Sequence, residues 1–191
     1  ALLIAACKAN NISVTPNRIR KALQNTAKNV GMLPFQQGWG LVQVDKAWEF
    51  LQGHRDDHLQ DIHFEVKVQG SKSRGIYLRQ ADEVTMKRTF SVEIDPQLKR
   101  EDEASEETQR SKIDLEVHMM LVSSASWVKA PETLVFGNSG RAFEIEVDPT
   151  QLSPGVHSAQ ITGIPNDGAA GNTLFNGPVT ITRPLPIQKS V

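Results

Sequence analysis

Three histidines, His54, His58 and His63, stand among three aspartates, Asp56, Asp57 and Asp61. Imidazole and carboxylate donors at this density are the raw material of a zinc site, which needs ligands fixed in a tetrahedron. His54 and His58 would share a helix face at i,i+4. Gly53 before them and a strand pattern after them argue against a helix there, so the stretch reads as a polar interdomain linker. Cys7 is the only cysteine, which excludes an internal disulfide and any Cys-rich metal site. It sits in an apolar run, where burial raises a thiol's pKa, so it reads as a small buried hydrophobe. Ser139, between Asn138 and Gly140, lacks the strand–turn–helix setting of a nucleophile elbow. Gly168-Ala169-Ala170-Gly171 has no following Lys-Ser/Thr and reads as a turn rather than a phosphate loop. Asn11-Ile12-Ser13 is a glycosylation sequon that a cytosolic protein would not use. Trp39, Trp48 and Trp127 are irregularly spaced, which favours core positions over a base-stacking platform. The expectation is no catalytic, cofactor-binding or metal-binding residue in this chain.

The composition agrees with that reading. The 191 residues carry 22 acidic and 21 basic side chains, a formal charge of −1, and 39% are hydrophobic. That is enough apolar material for a core and too little positive charge for a dedicated nucleic-acid binder. Residues 1–56 hold seven basic and three acidic side chains, and the remainder fourteen and nineteen. The sign change supports a boundary in the mid-fifties. Residues 99–107 hold five acidic and two basic side chains with no large apolar one, the composition of a solvated inter-strand loop.

The elements follow from periodicity. Ala1-Leu2-Leu3-Ile4-Ala5-Ala6-Cys7 is too short to span a bilayer, which takes about 20 apolar residues. It reads as the back half of a buried helix severed from a larger body. Thr15-Pro16 is a hydroxyl N-cap before an N1 proline. Ile19, Ala22, Leu23 and Thr26 then recur at helical spacing, with Arg18, Arg20, Lys21 and Lys28 on the other, outer face. Gly31 and Pro34 end that pattern. Residues 38–44, entered through Gly38 and Gly40, read as a short extended segment. Asp45 is expected to cap a helix from Lys46 to about Gln52 that buries Ala47, Trp48 and Leu51, with Gly53 as its stop. From Gln60 the period becomes two. Ile62, Phe64, Val66 and Val68 alternate with polar residues, as do residues 90–94, 113–121 and 143–147. Gly137-Asn138-Ser139-Gly140 reads as a hairpin connection between 134–136 and 143–145, and 178–182 as a closing strand. About seven short strands with turns between them predict an antiparallel β-sandwich, immunoglobulin-like in style. The fold class is α+β, with residues 1–56 helical and 57–191 the sandwich.

Thr15-Pro16-Asn17-Arg18-Ile19-Arg20-Lys21-Ala22-Leu23-Gln24-Asn25-Thr26-Ala27 and Gln37-Gly38-Trp39-Gly40-Leu41-Val42-Gln43-Val44-Asp45-Lys46-Ala47 resemble the closing stretch of a subtilisin-like serine peptidase domain. Lys8-Ala9-Asn10-Asn11, Val44-Asp45-Lys46-Ala47, Arg74-Gly75-Ile76-Tyr77-Leu78-Arg79, Ser126-Trp127-Val128, Val147-Asp148-Pro149 and Leu152-Ser153-Pro154-Gly155-Val156-His157 narrow the resemblance to the tripeptidyl-peptidase II family. It runs from Lys8 to His157. The resemblance implies a cytoplasmic, homo-oligomeric parent that releases tripeptides from the N-termini of oligopeptides through a serine acyl-enzyme. It also implies that the serine, histidine, aspartate and oxyanion asparagine lie upstream of Ala1, so this piece alone would be inactive and structural, without cofactor, nucleic-acid or membrane partner. The competing expectation is a self-contained, non-catalytic β-sandwich interaction module.

Overall fold

The computed structural model describes residues 1–71, 73–97, 115–166 and 172–185. Four helices come first: α1 Leu2–Ala9, α2 Pro16–Asn25, α3 Pro34–Gln37 and α4 Val44–Gly53. Thr15 caps α2, its side chain accepting from the Arg18 N–H, with Pro16 in the first turn as anticipated. Leu3, Cys7, Ile12, Ala22, Ala47 and Leu51 form one apolar cluster where α1, α2 and α4 meet. Only one side of α1 is covered: Leu2 and Ile4 on the other side are exposed.

The segment 38–44 is extended rather than a full strand: after a turn at Gly38 and Trp39 it makes one isolated bridge, between Lys28 and Leu41, and reaches the next helix at Val44. Two local expectations are corrected. Helix α4 begins at Val44, so Asp45 lies inside its first turn, where a carboxylate suits the helix dipole, and Gln43 occupies the cap position. The helix also runs through Gly53, with His54 as its C-cap.

A 3-10 turn, His58–Asp61, leads into the sandwich, whose described residues form nine strands: β1 His63–Val68, β2 Ile76–Leu78, β3 Arg88–Gln97, β4 Val117–Ser123, β5 Val128–Lys129, β6 Thr133–Phe136, β7 Arg141–Val147, β8 Gly155–Pro165 and β9 Phe175–Arg183. They form two sheets, ordered β1-β3-β7-β5 and β2-β9-β8-β4-β6. The inward-facing residues of both, among them Phe64, Val92, Ile94, Met119, Ile161 and Ile181, make a second, larger apolar cluster. This is the expected β-sandwich, with sheets packed face to face.

Two features depart from the pattern read in the sequence. Among the described residues all pairings are antiparallel except β2 with β9, which is parallel. The chain enters β2 after leaving the opposite sheet, and Gly75 lets it lie close, since a Cβ there would come within 2.5 Å of the Pro178 carbonyl oxygen. The turn at 137–140 is tight, with Gly140 N–H donating to the Gly137 carbonyl at 3.2 Å. It is not a hairpin: β6 pairs with β4 in one sheet and β7 with β3 in the other. The turn therefore carries the chain across the sandwich. At the corner between β7 and β8, Asp148 Oδ1 accepts from Thr150 N and Oγ1 at 3.0 and 2.6 Å. Arg183 Nη1 donates to the carbonyls of Pro149, Thr150 and Leu152. Several motif residues of this corner thus hold a chain reversal. The acidic run 99–107 and Gly168-Ala169-Ala170-Gly171 lie outside the described residues.

Candidate functional site

The chemistry-bearing side chains converge where α2 meets the turn that enters the sandwich. Arg18, assigned to the outer face by its charge, is instead 1% exposed. All five of its N–H groups are used. Nε and Nη2 hold Asp61 in a fork, at 3.0 Å to Oδ1 and 2.8 Å to Oδ2. Nη1 donates to the carbonyls of His54 and Arg55 at 2.7 and 3.1 Å, and Nη2 to that of Asp57 at 2.8 Å. Thr15 Oγ1 donates to Asp61 Oδ1 at 2.6 Å, and Asn17 Nδ2 to the Asp61 carbonyl at 3.0 Å. One turn along, Lys21 is 6% exposed. Its Nζ donates to the carbonyls of Leu59 and Ile62 and lies 5.0 Å from the centroid of the Phe64 ring.

Residues 54–62, read as a polar linker, are thus anchored through their main chain. The carbonyls of His54, Arg55, Asp57, Leu59 and Ile62 are gathered by Arg18 and Lys21, and a buried C=O without a donor costs about 1–3 kcal/mol. Asp57 caps the 3-10 turn through the Leu59 N–H at 2.9 Å and accepts from Gln60 Nε2 at 2.6 Å. Gln60 also donates to Asn172 Oδ1 at 2.9 Å. Asn25 exchanges two bonds with the Thr173 backbone, at 3.1 and 2.8 Å. The clamp thus ties α2 both to the entry of β1 and to the segment before β9. Its signal in the sequence is spacing: Arg18, Lys21 and Ala22 fall at i, i+3 and i+4, the buried stripe itself.

The electrostatics follow from that burial. Desolvation pulls Lys21 down to about 7, with Arg18 adding to the fall while Asp57 and Asp61 oppose it. Burial pushes Asp61 up, but hydrogen bonds from Arg18 and Thr15, with the charges of Arg18 and His58, bring it below the usual carboxylate value. Between pH 7 and about 10 the unfolded chain keeps a proton on Lys21 that the folded chain has shed, so stability rises with pH there. The rise expected in the unfolding free energy, read from denaturant titrations, is on the order of a few kcal/mol, and Lys21→Met should flatten it. A flat wild-type profile would refute this burial of the amine. Asp61 acts at the acid end: its contribution is complete above about pH 4 and fades as pH falls through its lowered folded value.

The other candidates scatter. His54 stacks on Phe50 with centroids 4.0 Å apart, and its Nδ1 lies 2.9 Å from the Phe50 carbonyl. His58 is exposed and His63 half-buried. Among the described residues no group of three His, Cys, Asp or Glu side chains converges as metal ligands would. Cys7 is buried, and burial pushes its thiol up. Ser139 and Asn11 are exposed. Trp48 and Trp127 are half-buried against the two apolar clusters. Trp39, expected in the core, is 40% exposed, because no described element covers the loop that bears it. Among the described residues no helix is long and apolar enough to cross a membrane.

The sequence profile of "Tripeptidyl-peptidase II, first Ig-like domain" matches residues 62–182. Tripeptidyl-peptidase 2 of Drosophila melanogaster is 36% identical over 189 residues, covering 98% of this chain and 13% of that protein. The Arabidopsis thaliana protein of the same name is 36% identical over 193 residues, covering 98% and 14%. A crystal structure of tripeptidyl peptidase 2 superposes with a TM-score of 0.84 at 34% identity, covering 96% of this chain and 15% of that one. The chain thus spans about a seventh of the length of these relatives. With a profile match across the sandwich and a structural match that also takes in the helices, the chain belongs to the tripeptidyl-peptidase II family, and residues 62–182 are its first immunoglobulin-like domain.

Proposed function

We propose that the chain is the non-catalytic brace of a cytoplasmic, homo-oligomeric serine peptidase of the subtilisin-like kind, which removes tripeptides from the N-termini of oligopeptides. In this reading residues 1–56 are the closing helices of the peptidase domain. The sandwich of 57–191 stiffens that domain or supports assembly. The triad comes from the larger part of the enzyme, which family relatives have beyond the stretch matched here.

One observation carries the reading. Exposed apolar side chains crowd into residues 30–44: Val30, Met32, Leu33, Phe35, Leu41 and Val42 are between 42% and 59% exposed. Beside them an apolar groove is walled by Ile19, Leu23, Ala27 and Trp39. Exposed apolar side chains gathered in one segment mark a contact face, and the two motifs that resemble a subtilisin-like domain flank that segment, the second taking in Leu41 and Val42. The peptidase body is its natural cover.

Phe35→Asp combined with Leu41→Asp tests this. In the 191-residue chain both sites are open to water, so the unfolding free energy should change by no more than about 0.5 kcal/mol. In the full-length enzyme the same pair should lower the temperature of inactivation of tripeptide release, because two carboxylates would be buried in an apolar contact. The purified chain alone should release no tripeptide from a chromogenic substrate. Unchanged heat stability of the full-length variant, or turnover by the chain alone, would overturn the proposal.

A further inference from the structure

A cleft of about 220 Å3 opens beside the clamp, between the outer side of α2 and the strands β1 and β9. Its rim carries Arg20 and Arg74, both exposed, with His63 between the helix and the sheet. Among the described residues Arg20 makes no ion pair, and Arg74 reaches only Glu65, at 4.0 Å. Glu65 is already held by Lys67 at 3.1 Å. The charged groups facing His63 are Arg20, Arg74, Lys21 and Glu65. Burial and the three cations hold its imidazole below the usual histidine value. The cleft therefore has an excess of positive charge. A second feature stands in its wall: Asn176 lines the cleft, and its Oδ1 is buried without a hydrogen-bond partner among the described residues. Buried amide oxygens are normally satisfied, and one left open calls for a donor. The floor is apolar, with Phe64 and Val66.

Two guanidiniums, one orphan acceptor and an apolar floor within one small cavity are complementary to a carboxylate carried next to an amide N–H. We propose that this cleft binds the C-terminal group of a peptide. Its carboxylate pairs with Arg20 and Arg74, its last amide N–H donates to Asn176 Oδ1 once that side chain turns into the cleft, and its last side chain lies on the apolar floor. Arginine pairs suit this role because the guanidinium fork matches a carboxylate.

The test follows the His63 imidazole by NMR while the 191-residue chain is titrated with N-acetyl-leucine. A saturable shift is expected, with His63 titrating at higher pH in the complex, since a bound carboxylate offsets Arg20 and Arg74. N-acetyl-leucinamide, which lacks the carboxylate, and sodium chloride at equal ionic strength should not reproduce it. Arg20→Gln with Arg74→Gln lies on exposed side chains and should weaken binding at least about tenfold. N-acetyl-glutamate α-amide offers the same carboxylate from a side chain, and should bind less tightly than N-acetyl-leucine. No saturable shift up to about 10 mM, an equal response to the amide, or undiminished binding by the double variant would overturn the site. Tighter binding of the glutamate amide would overturn its assignment to a C-terminus.

Discussion

Arg18→Met is expected to destabilise the chain by about 4 kcal/mol, the range for removing one partner of a buried ion pair. Methionine fills much of the volume but gives none of the five hydrogen bonds. Asp61 then loses its fork, and the carbonyls of His54, Arg55 and Asp57 lose the guanidinium, His54 and Asp57 keeping only the turn N–H groups of Asp57 and Gln60. At roughly 2–4 °C per kcal/mol for a chain of this size, the melting temperature should fall by about 8–16 °C. Arg18→Lys keeps the charge but has one ammonium where the site has a planar fork, and most of the loss should remain. The exposed pair of Lys67 with Glu65 and Asp95 is the internal control: Lys67→Ala should cost under about 1 kcal/mol. Thermal and urea unfolding of the three variants measures this directly. An Arg18→Met midpoint within 2 °C of the parent, an interval equal to about 1 kcal/mol, would mean that water replaces the guanidinium without penalty and that the clamp is decorative.

The clamp also shows where the sequence was readable and where it was not. The strands that alternate cleanly were legible, because one face of a sheet must be apolar. Phe64, Val66 and Val68 in β1 and Phe143, Ile145 and Val147 in β7 all point inward. Strand β8, the longest, escaped notice. Its inward positions include Gly163 and Pro165 beside Ala159 and Ile161, and its outward ones are half-buried, so the contrast that reveals a strand is weak. Strand β2 is only three residues long, too short for any period to emerge. The helix α2 was legible as a helix through its cap and its proline, yet its facing was misread for Arg18 and Lys21. Charge assigns a side chain to water only when no acceptors wait in the interior. Here the acceptors are main-chain carbonyls some forty residues away, and no local pattern announces them. The sandwich and family resemblance therefore came from residues read in order, while the clamp and the basic cleft depend on contacts across the chain.

Gly140→Ala is the second large effect, and it separates two costs that usually arrive together. Gly140 has φ +70°, and a Cβ there would fall 2.2 Å from the Ile94 carbonyl oxygen and 3.1 Å from the Asp95 Cα. Those atoms belong to the backbone of β3, which is paired on both sides, with β1 and with β7. They cannot swing aside as a side-chain tip would. The register adds to the constraint, because Arg141, the next residue, is the partner of Ile94 in the β3–β7 ladder. Alanine must therefore push β7 off β3 at the point where the chain crosses between sheets. A left-handed alanine costs about 1–2 kcal/mol, and overpacking against a fixed neighbour adds about 1–3, for a total of about 2–5 kcal/mol. Gly31 supplies the comparison: its φ is +82° and nothing lies within 4 Å of its absent Cβ. Gly31→Ala should lose only the conformational part, about 1 kcal/mol, and Ser139→Ala, exposed in the same turn, close to nothing. Amide hydrogen exchange should show the damage from Gly140→Ala concentrated in β3 and β7, with β8 and β9 protected as before. Equal losses at Gly140 and Gly31 would mean that the turn relaxes freely and that the crossing is not held by the close approach to Ile94.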